Sequence, residues 1–436
     1  MRARNWELFG LIPAALLVSA GFAAVYIQRS NQLSTVSLVY GGIFLGLCVA
    51  AHIFIRITLP YADPFIFPLV AVLACFGLVM VYRINGATMA RQQAQWFVFG
   101  LALFAGTVLW FRDYRRLENY RYLIMIASLV LLALPHVPGL EEPVNGAYLD
   151  IHLPGITFQP TEFGKVGLVI FLASYLRDHR QALVSGRKIL GYSVPPLKHL
   201  GPLLVLWGAA MLALIVLHDI GSSLMFFGAL LAILYVATGR VSFVIVGMLA
   251  FAGGAWYLGT HIPHIDARVQ DWLHTYDPNV YTPLGGSQQV ANGTFSMAAG
   301  GLFGQGFGQT LLVIPGTTDQ YIPVPNTDMI FAVITGDLGL FGAAGLLLSY
   351  MLFVGRGFKT AMLARDSFSK LLAIGLSAVV ALQVFVIVGG VTRVIPLTGV
   401  PLPFVSYGGS SILANFVLVA LLLMISDRAR RPQPRQ

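Results

Sequence analysis

The feature that most constrains this chain is a succession of apolar runs, repeated from one end to the other. A helix needs roughly 20 apolar residues to cross a bilayer. Runs of about that length lie near 9–27, 37–55, 65–82, 94–111, 121–137, 162–176, 202–217, 221–237, 242–259, 339–354, 371–391 and 410–425. Because backbone polar groups in lipid must be satisfied within the chain, such runs fold as helices. The expected fold is therefore all-α, a polytopic transmembrane bundle of about twelve spans. Composition agrees, since only 10% of the residues are charged and 57% are hydrophobic, whereas a soluble domain carries about 25% charge.

Lys and Arg concentrate on the cytoplasmic side of membrane proteins. With the N-terminus inside, 21 of the 27 basic residues fall in cytoplasmic segments. Arg29, Arg83, Arg91, Arg268 and Arg393 fall outside, and Lys165 lies within a span. Both termini of this multi-pass membrane protein are thus expected in the cytoplasm. The net charge of +9 is read as topology and attraction to anionic lipid headgroups, not as binding to nucleic acid. Cys48 and Cys75 fall inside spans, which argues against a disulfide framework.

The connecting segments are unequal. The longest, residues 260–328, is rich in glycine and in Tyr, Trp and Phe. Loops of that length are usually functional or disordered, and its aromatic content argues against disorder. Short helices lying along the outer interface and partly re-entering the bundle are expected. The chain is read as one membrane domain, with N-terminal spans over 1–158, central spans over 159–259, the outer loop over 260–328, and C-terminal spans and tail over 329–436.

Ionisable groups at membrane depth are costly and mark function more often than structure. Gln159-Pro160-Thr161-Glu162-Phe163-Gly164-Lys165 opens the sixth span, with Glu162 and Lys165 three apart and so on one helix face. They are either a self-neutralising pair or part of a functional cavity. Asp219, in His218-Asp219-Ile220-Gly221-Ser222-Ser223, interrupts a long apolar stretch. Asp328, in Asn326-Thr327-Asp328-Met329-Ile330-Phe331, precedes another helix. Each of these two acids can equally serve as a helix cap. Together the three places would form a polar outer vestibule.

These stretches resemble motifs of the SEDS (shape, elongation, division and sporulation) family, the family of RodA and FtsW. Gln159-Pro160-Thr161-Glu162 looks like its Q-P-S/T-E helix start, and Asp219-Ile220-Gly221-Ser222-Ser223 like its P-D-L-G-T/S-S. Residues 296–308 are similar to its glycine-rich loop segment, and Asn326–Phe331 to H-T-D-F-I-F. Pro403-Phe404-Val405-Ser406-Tyr407-Gly408-Gly409-Ser410-Ser411 is close to P-F-x-S-x-G-G-S-S. Five collinear motifs over 159–411 carry the likeness. Two departures accompany it. Two spans beyond the family's common ten precede Gln159, as in some actinobacterial members. The loop's D-P-x-G-x-G-Y-Q stretch also has no carboxylate at its essential position, which falls here at Tyr281 or Thr282. Asp277 is the nearest acid.

The resemblance implies a peptidoglycan glycosyltransferase that polymerises lipid II, the undecaprenyl-diphosphate-linked disaccharide pentapeptide. The acceptor GlcNAc 4-hydroxyl attacks C1 of the donor MurNAc, and undecaprenyl diphosphate leaves with inversion. Such a reaction wants a general base and cationic compensation at the diphosphate. The candidate base is Asp277, with Asp271 and Asp266 as weaker alternatives. Substrate-binding candidates are Gln159, Glu162, Lys165, Asp219, Arg268, Thr327, Asp328, Arg393 and Ser406. No protein-bound metal is assigned, although a divalent cation, Mg or Mn, could sit at the lipid diphosphate. The implied partner is a class B penicillin-binding protein. Two other readings stay open: a lipid II-binding flippase or transporter, and a non-catalytic membrane scaffold for such a protein.

Overall fold

The computed structural model describes residues 2–30, 35–136, 151–153, 156–184, 187–189, 192–194, 201, 204, 208, 220–282, 286–316 and 319–432. Its helices are α1 (Arg2–Ser30), α2 (Thr35–Thr58), α3 (Ile66–Asn85), α4 (Ala87–Trp110), α5 (Arg121–Ala133), α6 (Pro160–Val184), α7 (Ile220–Thr238), α8 (Val241–His261), α9 (Pro263–Leu273), α10 (Gln288–Gly300), α11 (Ile330–Leu363), α12 (Ser367–Val391) and α13 (Gly409–Arg430). Among the described residues, nine are long and apolar enough to cross a membrane: α1 to α4, α7, α8 and α11 to α13.

The remaining three expected spans differ for separate reasons. The fifth is a 13-residue helix that tightens at Leu134–His136 into a 3₁₀ turn containing Pro135, since proline cannot continue the hydrogen-bond ladder. The sixth is a full 25-residue helix, but it carries Glu162, Lys165, Arg177, Asp178 and Arg180, so hydropathy does not mark it. The seventh, 202–217, falls almost wholly outside the described residues. Besides the helices there are two short antiparallel ribbons. One pairs Ile151–Leu153 with Ile156–Phe158, the other Arg187–Ile189 with Tyr192–Val194.

The chain forms two compact units. One comprises residues 1–110, 267–356 and 383–436; the other comprises 111–266 and 357–382. In the first, α13 is the core helix. Its residues from Ile412 to Asp427 are nearly all buried, and it packs against α4 and α3. The segment leading into α13 lies directly on α3 at Gly77, where a Cβ would fall 2.5 Å from the Phe404 carbonyl oxygen, so only a glycine leaves room for that backbone. At the far end of α3, Asp63 accepts from Arg430 and lies 3.7 Å from Arg356. There its backbone N–H also donates to the Ser426 hydroxyl.

Helix α11 is longer than the 339–354 run because a helical stretch from Ile330 precedes that run, the two joined across a non-helical break at Gly339, whose φ is 68°. A Cβ at Gly339 would lie 2.3 Å from the Gly304 nitrogen. The glycine-rich turns after α10 dock into this break. Leu340 and Phe341 donate to the Gly301 and Leu302 carbonyls, while Gln305 and Gly306 donate to those of Gly336 and Asp337. The described residues of the 260–328 segment are thus built around α9 and α10 and docked onto α11.

In the second unit, α5, α6, α7 and α8 pack in succession. Helices α5 and α6 meet closely at Gly167, against Ser128. The Tyr114 hydroxyl and Ser369 share a 2.5 Å hydrogen bond.

Candidate functional site

The first unit gathers most of the sequence candidates at one end. Helix α9 presents Arg268, Asp271 and Trp272 to a cleft of about 290 Å³, whose other walls include Gly286, Gln289, Gly390 and Leu397. Asp271 is buried, and that burial lifts its carboxyl above the usual carboxylate range while Arg268 pulls it back. Asp328, half-buried just before α11, shifts in the same direction. Loss of water raises its proton affinity; the Thr327 hydroxyl, its own backbone N–H, the Arg268 charge and the Gln289 carboxamide oppose the rise. Thr327 donates to the Asp328 Oδ1 at 2.5 Å. One guanidinium therefore acts on two carboxylates that desolvation has made more basic.

Arg393 joins from the turn after α12. Its carbonyl accepts from the Trp272 indole at 2.9 Å, and its guanidinium lies 4.8 Å from the centre of the Tyr276 ring. Ser406 ties the turn before α13 to the segment that precedes α11. Its hydroxyl donates to the Thr327 carbonyl at 2.5 Å and accepts from the Leu402 backbone at 2.9 Å, while Tyr407 N–H donates to Asn326. Among the described residues, the only non-glycine positions with positive φ are Val324, Arg393 and Phe404. All three flank these site residues. Backbone strain of this kind clusters at functional sites, and at β-branched Val324 it is a genuine outlier.

The other candidates lie elsewhere. Glu162 and Lys165 form a buried ion pair of 2.6 Å in the first turn of α6, inside the second unit, and Gln159 precedes that helix. Asp219 lies outside the described residues. Asp277 stands in the turn after α9, where its Oδ1 accepts from the backbone and the carboxamide of Asn279 at 2.9 and 3.1 Å. It does not line the Arg268 cleft. Tyr281, at the position counted for the family's carboxylate, donates its hydroxyl to Asn292 at 2.9 Å.

Sequence reasoning passed over several residues that build the site. Gln289 and Trp272 carried no motif signal. The pairing of Arg83, one of the outer basic residues, with Asp337 also had no sequence signal. Arg83 spans both Asp337 oxygens at 2.9 and 3.3 Å and donates to the Thr310 carbonyl at 2.6 Å. The pair pins the glycine-rich turns to α3 and α11. Among the described residues no three His, Cys, Asp or Glu side chains cluster as metal ligands.

Comparison with known proteins agrees with this architecture. The chain is 40% identical over 444 residues to a Mycobacterium tuberculosis protein named peptidoglycan glycosyltransferase RodA, covering 98% of this chain and 92% of that one. It is 29% identical over 369 residues to stage V sporulation protein E of Bacillus subtilis, covering 82% of this chain and 95% of that one. The rod shape determining protein RodA of Thermus thermophilus superposes with a TM-score of 0.60 at 25% identity, over 85% of this chain and 98% of that one. A chain from a structure described as a peptidoglycan synthase complex that coordinates polymerization and crosslinking superposes with a TM-score of 0.67 at 26% identity, over 85% and 99%. Residues 64–431 match the family of FtsW, RodA and SpoVE, described as cell cycle proteins, and the chain belongs to that family.

Proposed function

We propose that this chain is a peptidoglycan glycosyltransferase that polymerises lipid II into glycan strands at the outer face of the cytoplasmic membrane, for elongation or division. Both termini are then cytoplasmic and the 260–328 segment faces outward, as the distribution of Lys and Arg requires. The observation that carries the reading is one guanidinium, Arg268, whose charge acts on both Asp271 and Asp328, in a chain whose relatives bear that enzymatic name. A carboxylate with raised proton affinity suits general-base work near neutral pH. In this reading Asp328 or Asp271 takes the proton of the acceptor 4-hydroxyl. Asp277, nearest in sequence to the family's acid, is the alternative base, with one carboxylate oxygen outside its turn. Arg268 and Arg393 offset the charge of the leaving diphosphate. Thr327 and Ser406 hold Asp328 in place.

A divalent cation would draw its ligands mainly from the diphosphate and at most one or two carboxylates, as Mg often does. The synthase complex among its structural neighbours supports a crosslinking partner, which the resemblance specifies as a class B penicillin-binding protein. The absence of a carboxylate at Tyr281 and Thr282 favours one competing reading, a scaffold that positions such a partner.

The test is purified full chain reconstituted with lipid II. Glycan chains on a gel support the enzyme. Passage of lipid II between leaflets without polymer would replace it with the flippase. Neither activity, together with stimulation of a penicillin-binding protein, would leave the scaffold.

A further inference from the structure

A second cavity lies apart from the Arg268 cleft, between α2 and α4, and it encloses about 860 Å³ including its open mouth. Its walls are almost entirely carbon. Phe22, Phe44 and Leu47 face Leu78, Ala94 and Phe97 across it. The small side chains of α3 and α4 leave the room, and the aromatic pairs Phe22–Tyr82 and Phe44–Phe97, 5.0 and 5.1 Å apart, frame it. Ile43 at its edge is 57% exposed within an apolar span, so the groove opens toward lipid. Helices α1 and α2 precede the family-matched segment, which begins at residue 64. The groove therefore depends on the two helices added before that common part.

Besides the phenols of Tyr40 and Tyr82, two polar side chains, Arg91 and Gln93, sit in this largely apolar lining. Arg91 is exposed and has no carboxylate paired to it among the described residues. Gln93 is only 3% exposed, and its Oε1 has no hydrogen-bond partner. The other end of that carboxamide donates to the Ser406 carbonyl at 3.2 Å. A buried acceptor without a partner costs free energy, and an unpaired cation beside an apolar slot calls for an anion with a hydrocarbon tail.

We propose that this groove binds an anionic phospholipid with a hydroxyl-bearing headgroup, such as phosphatidylglycerol. An acyl chain fills the slot, the phosphate meets Arg91, and a headgroup hydroxyl donates to Gln93 Oε1. Arg91 and Gln93 stand near the start of α4, where Tyr407 bonds Gln92 at 2.8 Å and the Asn326 carboxamide donates to Met89 Sδ at 3.6 Å. The lipid thus belongs to the leaflet on the Asp328 side, the outer one in the orientation proposed above. Through Gln93, Ser406 and Thr327 its occupancy bears on Asp328.

Native mass spectrometry of the delipidated full chain tests this, with phosphatidylglycerol and phosphatidylcholine of identical chains competing. The wild type should retain phosphatidylglycerol preferentially, and Arg91→Gln should lower that preference about fivefold, the worth of one basic side chain at an anionic surface. Ala94→Phe, which fills the slot, should lose both lipids; thermal melting checks that each variant is folded. Equal retention of the two lipids by the wild type overturns the proposal. So does displacement of phosphatidylglycerol by polyprenyl phosphate at equal concentration, which would make the tail a polyprenyl one. Retained preference in a protein that makes no glycan refutes the proposed function and leaves this site standing.

Discussion

Asp328→Asn separates catalysis from folding more cleanly than any other single change. Asn keeps an Oδ1 that accepts from Thr327 at the same 2.5 Å position but cannot take a proton. If Asp328 is the general base, polymerisation by purified protein should fall about 10²- to 10⁴-fold, or about 3–5 kcal/mol of barrier. Stability should move the other way. Burial raises the carboxyl's proton affinity in the folded protein. The stability it contributes is fully present below the ordinary carboxylate range and is lost as pH rises through the folded value. At neutral pH the ionised side chain is therefore a net cost, and the Asn variant should melt at the same temperature or higher. Wild-type turnover should climb with pH through that raised value, whereas residual activity of the variant should be flat there. The assay is lipid II polymer per unit time across pH, beside a thermal melt. Full activity with an unchanged pH profile would refute the assignment. Asp277→Asn and Asp271→Asn then follow; Asp277→Asn leaves the turn at Asn279 intact because Asn supplies the same acceptor. If none of the three matters, the scaffold reading replaces the enzyme.

Further outcomes follow from the buried charges and the orientation. Arg83→Met leaves Asp337 as an unpaired buried carboxylate, which should cost about 3–5 kcal/mol, read as a lower melting temperature; Arg83→Met with Asp337→Leu should recover much of it. For Glu162 and Lys165 the double change is decisive. A functional cavity predicts that Glu162→Gln and Lys165→Met each abolish activity at normal membrane abundance, whereas a structural pair predicts lower abundance restored in the double variant. A cysteine at Gln320 should react with an impermeant thiol reagent in intact cells and one at Leu190 should not; the reverse pattern overturns the outward placement of the site.

The helical elements were legible because hydropathy is a local property. Each long apolar run is a membrane-length segment whose backbone must satisfy itself, so neighbours need not be known. That signal weakens where charge and apolarity mix. Helix α6 carries five charged residues yet is a full helix, because Glu162 and Lys165 cancel within one turn. The 339–354 run starts where the second stretch of α11 does, at the Gly339 break, but hydropathy did not mark the helical stretch from Ile330 that precedes it. Of the candidate site residues, Arg268, Thr327, Asp328, Arg393 and Ser406 were singled out by rarity or motif and do assemble in one unit. Gln289 and Gln93 carried no sequence signal because an amide in a helix looks the same whether it faces lipid, water or a carboxylate.

The sequence by itself determined a membrane bundle, its family, and which polar residues are too expensive to be idle. All of these rest on composition and spacing along the chain. Only the tertiary structure decided which charges act on one another. Arg268 lies three residues from Asp271 but sixty from Asp328, and Arg83 meets Asp337 across most of the chain. Electrostatic interaction falls with distance in space and grows with loss of water, and neither quantity is written in residue order.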